Sequence, residues 1–359
     1  MTIEFIGMIH HRHASEIHPP GPLIFDRGYV RDFAQAAETA SFDRVLVGYF
    51  SDGPDGFLLA AYAASHTDKL GFLLAHRPGF VAPTLAARKF ATLDQVTGGR
   101  AAIHVISGGD DVDQLRDGDT LPKDERYART DEYLHILKRI WTETGPVDHA
   151  GKYYRFVGGS TAMRSVQQPR IPIYFGGASD AAIAVAGRHA DVYALWGETH
   201  EQVRELTTRV RTAAAQHGRE VRFSLSFRPI LAPTEDAAWA RAEQIKQRIV
   251  ELRAKAGQGP REPANEGSRR LLAAAAQGER LDKRLWTGAA LLTGARGNTT
   301  SLVGTPRQVA EALCDYYDLG ITTFLIRGFD PLEDAIEYGR SLLPLTRQMI
   351  AERTRMAAE

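Results

Sequence analysis

The sequence predicts an α/β chain whose eight parallel strands close into a (β/α)8 TIM barrel with insertion segments, the longest after the seventh strand. Three observations carry that expectation. Short apolar runs alternate with longer stretches of helical periodicity, the order produced by parallel strands joined by crossover helices. Several of these runs are apolar throughout, as strands covered on both faces must be. The runs number eight, the count at which such a sheet closes on itself. A length of 359 residues suits one barrel domain over residues 1–359.

Each element follows in chain order. Residues 3–9 read as the first strand, and 29–39 repeat their apolar positions at helical spacing. Residues 45–47 and 71–75 are the second and third strands, with a helix over 56–65 between them. In 83–96, Leu85, Ala86, Phe90, Leu93 and Val96 trace one helical face. Residues 101–106 form the fourth strand. Residues 107–127, dense in Gly and Asp, read as an active-site loop insertion, and a helix surrounds 131–141. Residues 171–175, 191–194, 222–231 and 320–326 complete the strands. Residues 234–300 are too long for an ordinary loop and read as a lid insertion that is either helical or partly mobile.

Composition narrows the function. Forty-four basic residues balance 44 acidic ones, which argues against a nucleic-acid or membrane-surface binder. The one cysteine, Cys314, excludes an intramolecular disulfide framework and reads as a buried structural thiol. No run of roughly 18 apolar residues could span a bilayer. The start, MTIEFIGMIHHRH, reads as a strand and not a signal peptide, so a cytoplasmic location is expected. Phosphate-loop, zincin, nucleophile-elbow and dinucleotide-fold motifs are all missing.

Candidate chemistry clusters after strand ends. In Tyr174-Phe175-Gly176-Gly177-Ala178-Ser179-Asp180 an apolar strand passes through two glycines into an alanine-rich helix. Close backbone approach and unpaired N–H groups there suit a phosphate, although plain capping by Ser179 or Asp180 explains the same residues. His104 and Ser107 end another strand, and Arg126, Tyr127 and Arg129 open the helix that follows. His10, His11 and His13 follow the first strand without the carboxylates of a metal set, so no metal is expected. Trp196 follows a strand as core or pocket wall. Arg228 interrupts an otherwise apolar strand and must find an anion, because an unpaired buried guanidinium is very costly. Arg296 and Arg327 lie near loop and strand ends.

Taken together, AHRPGFVAPTLAARKFATLDQVTGGRAAIHVISGG (75–109), DERYARTDEYLHILKRIWT (124–142), QPRIPIYFGGASDAA (168–182), HADVYALWGE (189–198) and SLVGTPRQVAEAL (301–313) resemble the bacterial luciferase-like flavin monooxygenases, specifically their alkanesulfonate branch. That resemblance implies a barrel using FMN as FMNH2, supplied by a separate NAD(P)H-dependent flavin reductase, together with O2. It implies a small anionic organosulfur substrate, whose carbon–sulfur bond is cleaved to sulfite and an aldehyde, and a homodimer or homotetramer. By position it assigns Gly177, Ala178, Ser179 and Tyr127 to the flavin phosphate and Asp55, His104 and Ser107 to the flavin pocket. Trp196 also falls on a matching pocket position; Arg228, Arg296 and Arg327 are candidates, as relocated positive groups, for binding the anionic substrate, with Arg228 and His10 or His11 as catalytic candidates. Departures point to a changed substrate: the branch's cysteine is Gly53, its arginine–x–histidine strand reads Ser226-Phe227-Arg228, and its G-Y-x-H end reads Gly328-Phe329-Asp330-Pro331. A sugar sulfonate, a sulfone or an aminopolycarboxylate is the alternative substrate, and an F420-dependent dehydrogenase the alternative enzyme.

Overall fold

The eight expected runs become the strands Glu4–Ile9, Arg44–Val47, Gly71–His76, Ala101–Val105, Ile173–Gly176, Val192–Trp196, Arg222–Phe227 and Ile321–Ile326. We number these first to eighth. In the computed structural model, which describes residues 3–259, 262–263, 265–295 and 297–356, they form a closed barrel. Each lies beside its predecessor and the eighth returns to the first. The chain divides into two compact units, Met1–Val45 with Ala194–Thr208 and Arg222–Glu359, and Leu46–Tyr193 with Arg209–Val221.

In the first of these units, parallel pairing sets Phe5 beside Phe324 and Phe324 beside Leu225, all fully buried. Burial on both faces is why these runs are apolar without alternation. Helix Arg27–Thr39 starts where the Asp26 carboxylate accepts from the Tyr29 N–H at 3.0 Å, and it buries Tyr29, Val30 and Phe33. The run 222–231 is not one strand. It leaves the barrel at Arg228-Pro229, where proline has no N–H for the ladder. Ile230–Leu231 then pairs in a second sheet with Ser301–Gly304, which Leu285–Trp286 and Arg280–Leu281 extend.

That second sheet shows what holds residues 234–300. Helix Glu235–Lys255 presents Ala238, Ala242, Ile245 and Ile249 on one face, and these pack with Ile230, Trp286, Val303 and Phe329. Helices Glu266–Gln277 and Gly288–Thr293 complete the insertion. The insertion thus combines helices with strands and a core of its own. Cys314 is buried, and burial pushes its thiol up to about 11, in keeping with a structural role.

In the other unit, the third, fourth and fifth strands pair in parallel, Ala75 beside His104 and His104 beside Tyr174. Residues 107–127 are more ordered than their composition suggests. Asp110 caps a short helix, Asp111–Arg116, and the next helix runs Lys123–Thr142, with Tyr127 near its start as expected. Buried Arg126 fastens this segment by donating to the carbonyls of Leu121 at 2.7 Å and Ser107 at 3.2 Å. A hairpin, Val147–Ala150 with Arg155–Gly159, was not expected from the sequence, since Val147 is its one fully buried apolar residue and no apolar run marks it.

Candidate active site

The glycine turn after the fifth strand builds a cradle. Gly177 has φ +139°, and a Cβ there would lie 2.8 Å from the Ala182 Cβ and 3.1 Å from the Tyr127 hydroxyl. Only glycine lets the backbone occupy that position without displacing either neighbour. Ser179 caps helix Asp180–His189 through the Ala182 N–H, and its hydroxyl also bonds the Tyr127 phenol, whose pKa burial raises. Tyr193 donates to the Gly177 carbonyl and fixes the turn. Tyr127, Gly177, Ala178 and Ser179, expected together, are thus brought together. An open backbone turn at a helix N-terminus, beside two hydroxyls, fits a phosphate.

Near that cradle in the sheet register, the fourth strand carries His104. Its Nδ1 is buried without a partner among the described residues, and burial lowers its pKa to about 4, so the ring is neutral at physiological pH. Ser107 donates to the Thr130 hydroxyl at 2.9 Å. Asp55 uses its carboxylate to accept from the Leu58 N–H at 3.0 Å, capping helix Gly56–Ala64. It also borders a cavity of about 180 Å³ walled by Tyr49, Phe57, Phe80, Arg77 and Lys89. The Arg77 guanidinium lies 4.5 Å from the Tyr49 ring centre and pairs with Asp113. This aromatic and cationic cavity had no local sequence signal, since its walls come from three separate segments.

The other unit holds a compact basic pocket. Arg228, 1% exposed, follows the seventh strand, and Arg327 follows the eighth. The anion that Arg228 requires is Glu16. One carboxylate oxygen, Oε1, lies 2.7 Å from Arg228 Nη1 and 3.0 Å from Arg327 Nη2. Arg228 also donates to the Gly328 carbonyl at 3.1 Å, and its guanidinium lies 3.5 Å from the Phe329 ring centre. Burial, with Arg228 next, lowers Arg327 to about 10. His10 lines the same pocket; burial, then Arg327, lowers it to about 4, leaving a neutral imidazole. His11 is not among the lining residues and stacks on Phe25 at 6.3 Å. Nothing in the sequence around Glu16 marks it. The signal was indirect: an arginine on an apolar strand demands a carboxylate, and the partner sits over 200 residues away.

Trp196 is a partly buried wall of the insertion. It packs against the cluster of Leu271, Ala290 and Ala295, and a Cβ on Gly267 would fall 2.9 Å from its ring. The next acid, Glu198, 2% exposed, is gripped by Arg270 from the same insertion at 2.7 Å. Arg296 lies outside the described residues.

The comparisons with known proteins agree with this architecture. The family model for luciferase-like monooxygenases matches residues 3–323. Riboflavin lyase (RcaE), solved with modified FMN and riboflavin, is 20% identical with a TM-score of 0.78, over 97% of this chain and 92% of that one. EDTA monooxygenase (EmoA) from Chelativorans sp. BNC1 is 19% identical with a TM-score of 0.77, over 97% and 94%. Long-chain alkane monooxygenase (LadA) is 20% identical with a TM-score of 0.75, over 97% and 92%. Similarity at this level speaks for the fold, whereas the family match spans nearly all of the chain. The chain belongs to the luciferase-like monooxygenase family.

Proposed function

We propose that the chain is a two-component monooxygenase that takes FMNH2 from a separate NAD(P)H-dependent flavin reductase. With O2 it cleaves the carbon–sulfur bond of a small organosulfonate, one oxygen atom going to the aldehyde and the other to water as sulfite departs. The observation that carries this reading is the Arg228–Arg327 pair, buried at two strand ends with only a carboxylate between the guanidiniums. Active sites in barrels of this kind are built at those ends.

The cradle residues fit FMN. Gly177, Ala178 and Ser179 would hold its phosphate with Tyr127, and His104 would present a neutral ring nitrogen to the flavin. Reduced FMN supplies the electrons that activate O2. The protein's own work is binding, orientation and exclusion of water. Arg228 and Arg327 donate charge-assisted hydrogen bonds to the anionic head. Phe329 holds the plane of one guanidinium, and His10, unprotonated at neutral pH, is placed to accept a proton. Low dielectric around the pair strengthens each of these contacts.

The test is sulfite release from a panel of sulfonates, with FMN, NADH and a flavin reductase supplied. Arg228→Met should abolish release while FMN affinity survives; unchanged release removes Arg228 from the substrate site. The same guanidiniums suit a carboxylate, so an aminopolycarboxylate, such as the EDTA in the name of one structural relative, is the competing substrate and belongs in the panel. A neutral sulfone would leave the pair without a charge to bind. Titration of FMN against F420, read by fluorescence, separates the monooxygenase from a dehydrogenase.

A further inference from the structure

The pocket that this reading gives to the substrate already contains an anion. Glu16 Oε1 contacts both guanidiniums, at 2.7 and 3.0 Å, and the remaining free volume is about 10 Å³. That is room for about one water and not for a sulfonate group as well. The arrangement is also under-satisfied. Glu16 Oε2, Arg228 Nε and Arg327 Nε are all buried without a hydrogen-bond partner among the described residues. A head group with three oxygens offers more acceptors to these donors than a carboxylate that uses one.

We propose that Glu16 is a resident anion standing in the substrate's place, bridging Arg228 and Arg327 until a compact monoanion displaces it. The exchange conserves charge: two guanidiniums and one carboxylate give way to two guanidiniums and one monoanionic head. This favours a singly charged head over a dianion. The movement needed is small. The Glu16 side chain is 26% exposed against 1% for Arg228, so although its carboxylate is buried it borders solvent, and side-chain rotation would have a path to water. The flanking chain can stay where it is, because Ser15 donates to the Phe329 carbonyl at 2.6 Å and Ile17 packs on the insertion core. Acid does not drive the exchange. Burial pushes Glu16 up, but Arg228 and Arg327 outweigh it and hold its carboxyl far below the ordinary carboxylate range.

This inference rests on the pocket being the substrate site, and its test is chosen to fail separately. Ethanesulfonate binding is measured by calorimetry at fixed ionic strength, without turnover, for the full chain and for Glu16→Gln. The isosteric, uncharged variant should bind about tenfold or more tightly, since it no longer spends most of its population blocked. Adding Arg228→Met to it should abolish that binding. Equal or weaker binding by Glu16→Gln, with FMN affinity and circular dichroism intact, overturns the proposal. If that variant does not fold, crystals of the unaltered protein soaked in ethanesulfonate decide. A sulfonate between the guanidiniums with Glu16 rotated out supports the exchange; Glu16 still bridging in the soaked crystals refutes it. Tighter binding by Glu16→Gln without sulfite release from any organosulfonate would retire the carbon–sulfur cleavage reading and leave the resident anion standing.

Discussion

Gly177→Ala tests the phosphate cradle directly. At φ +139° an L residue is strained, and the new methyl would sit 2.8 Å from the Ala182 Cβ and 3.1 Å from the Tyr127 hydroxyl. Optimal carbon–carbon separation is about 3.5–4.0 Å, so backbone or helix must yield by about 1 Å. Holding the original conformation would cost about 1–3 kcal/mol. Relaxing it instead moves the turn's amides, which the proposal gives to the phosphate. Loss of one hydrogen bond to a charged group costs about 1.5–3 kcal/mol, which corresponds to a roughly 10–100-fold weaker complex. Riboflavin lacks the phosphate and should therefore lose less than about threefold, a margin set by ordinary context effects of a few tenths of a kcal/mol. Fluorescence titration of both oxidised flavins, against both proteins, gives the comparison. An equal loss for FMN and riboflavin, or no loss for FMN, would refute the cradle.

Other expectations are as concrete. Arg270→Met leaves Glu198 buried without its main cation, at a cost of about 3–5 kcal/mol. Proteolysis of the insertion should accelerate, and Glu198→Leu in the same chain should restore much of the loss; a single variant as resistant as the parent refutes the clamp. Burial depresses His10, His104 and His189 to about 4 and His76 to about 3, against 6.5 for an ordinary histidine. Between pH 6.5 and 4 the unfolded chain therefore binds more protons than the folded one, and stability falls as the solution is acidified. Thermal melts across that range should show the decline, which His104→Asn should lessen; a flat profile contradicts the burial of these rings.

The barrel strands were legible because most are buried on both faces and leave apolar runs; the expected ends lie within two residues of the observed ones except in 222–231, which overshoots Phe227 by four. The start of helix Lys123–Thr142 was legible too, residues 125–129 being expected to open it. Pro122 precedes it, and Asp124 and Glu125 occupy its first turn, as helix beginnings favour. The two-residue strands of the second sheet were not legible, since two residues cannot display a period. Gly177 and Ser179 could be paired because a strand–turn–helix is a local pattern, whereas Tyr127, 50 residues earlier, joined them only through the family resemblance. Glu16 could not, because the ion pair that gives it meaning joins distant parts of the chain and leaves no mark on its neighbours in sequence.

One continuous run, residues 222–231, serves two sheets, with Arg228 and Pro229 at the changeover. The carbonyl of Pro229 is held by the Tyr338 hydroxyl at 2.5 Å, and the Arg228 N–H by the Thr300 carbonyl at 3.0 Å. The guanidinium therefore rides on a hinge point whose far side belongs to the insertion's core. Trp286 and Ile249 share a cluster with Ile230, two residues after Arg228, and with Phe329, which faces its guanidinium, so substitutions there reach the pocket only through packing. Variation in the insertion is thus a route by which selectivity could drift while the barrel itself stays fixed.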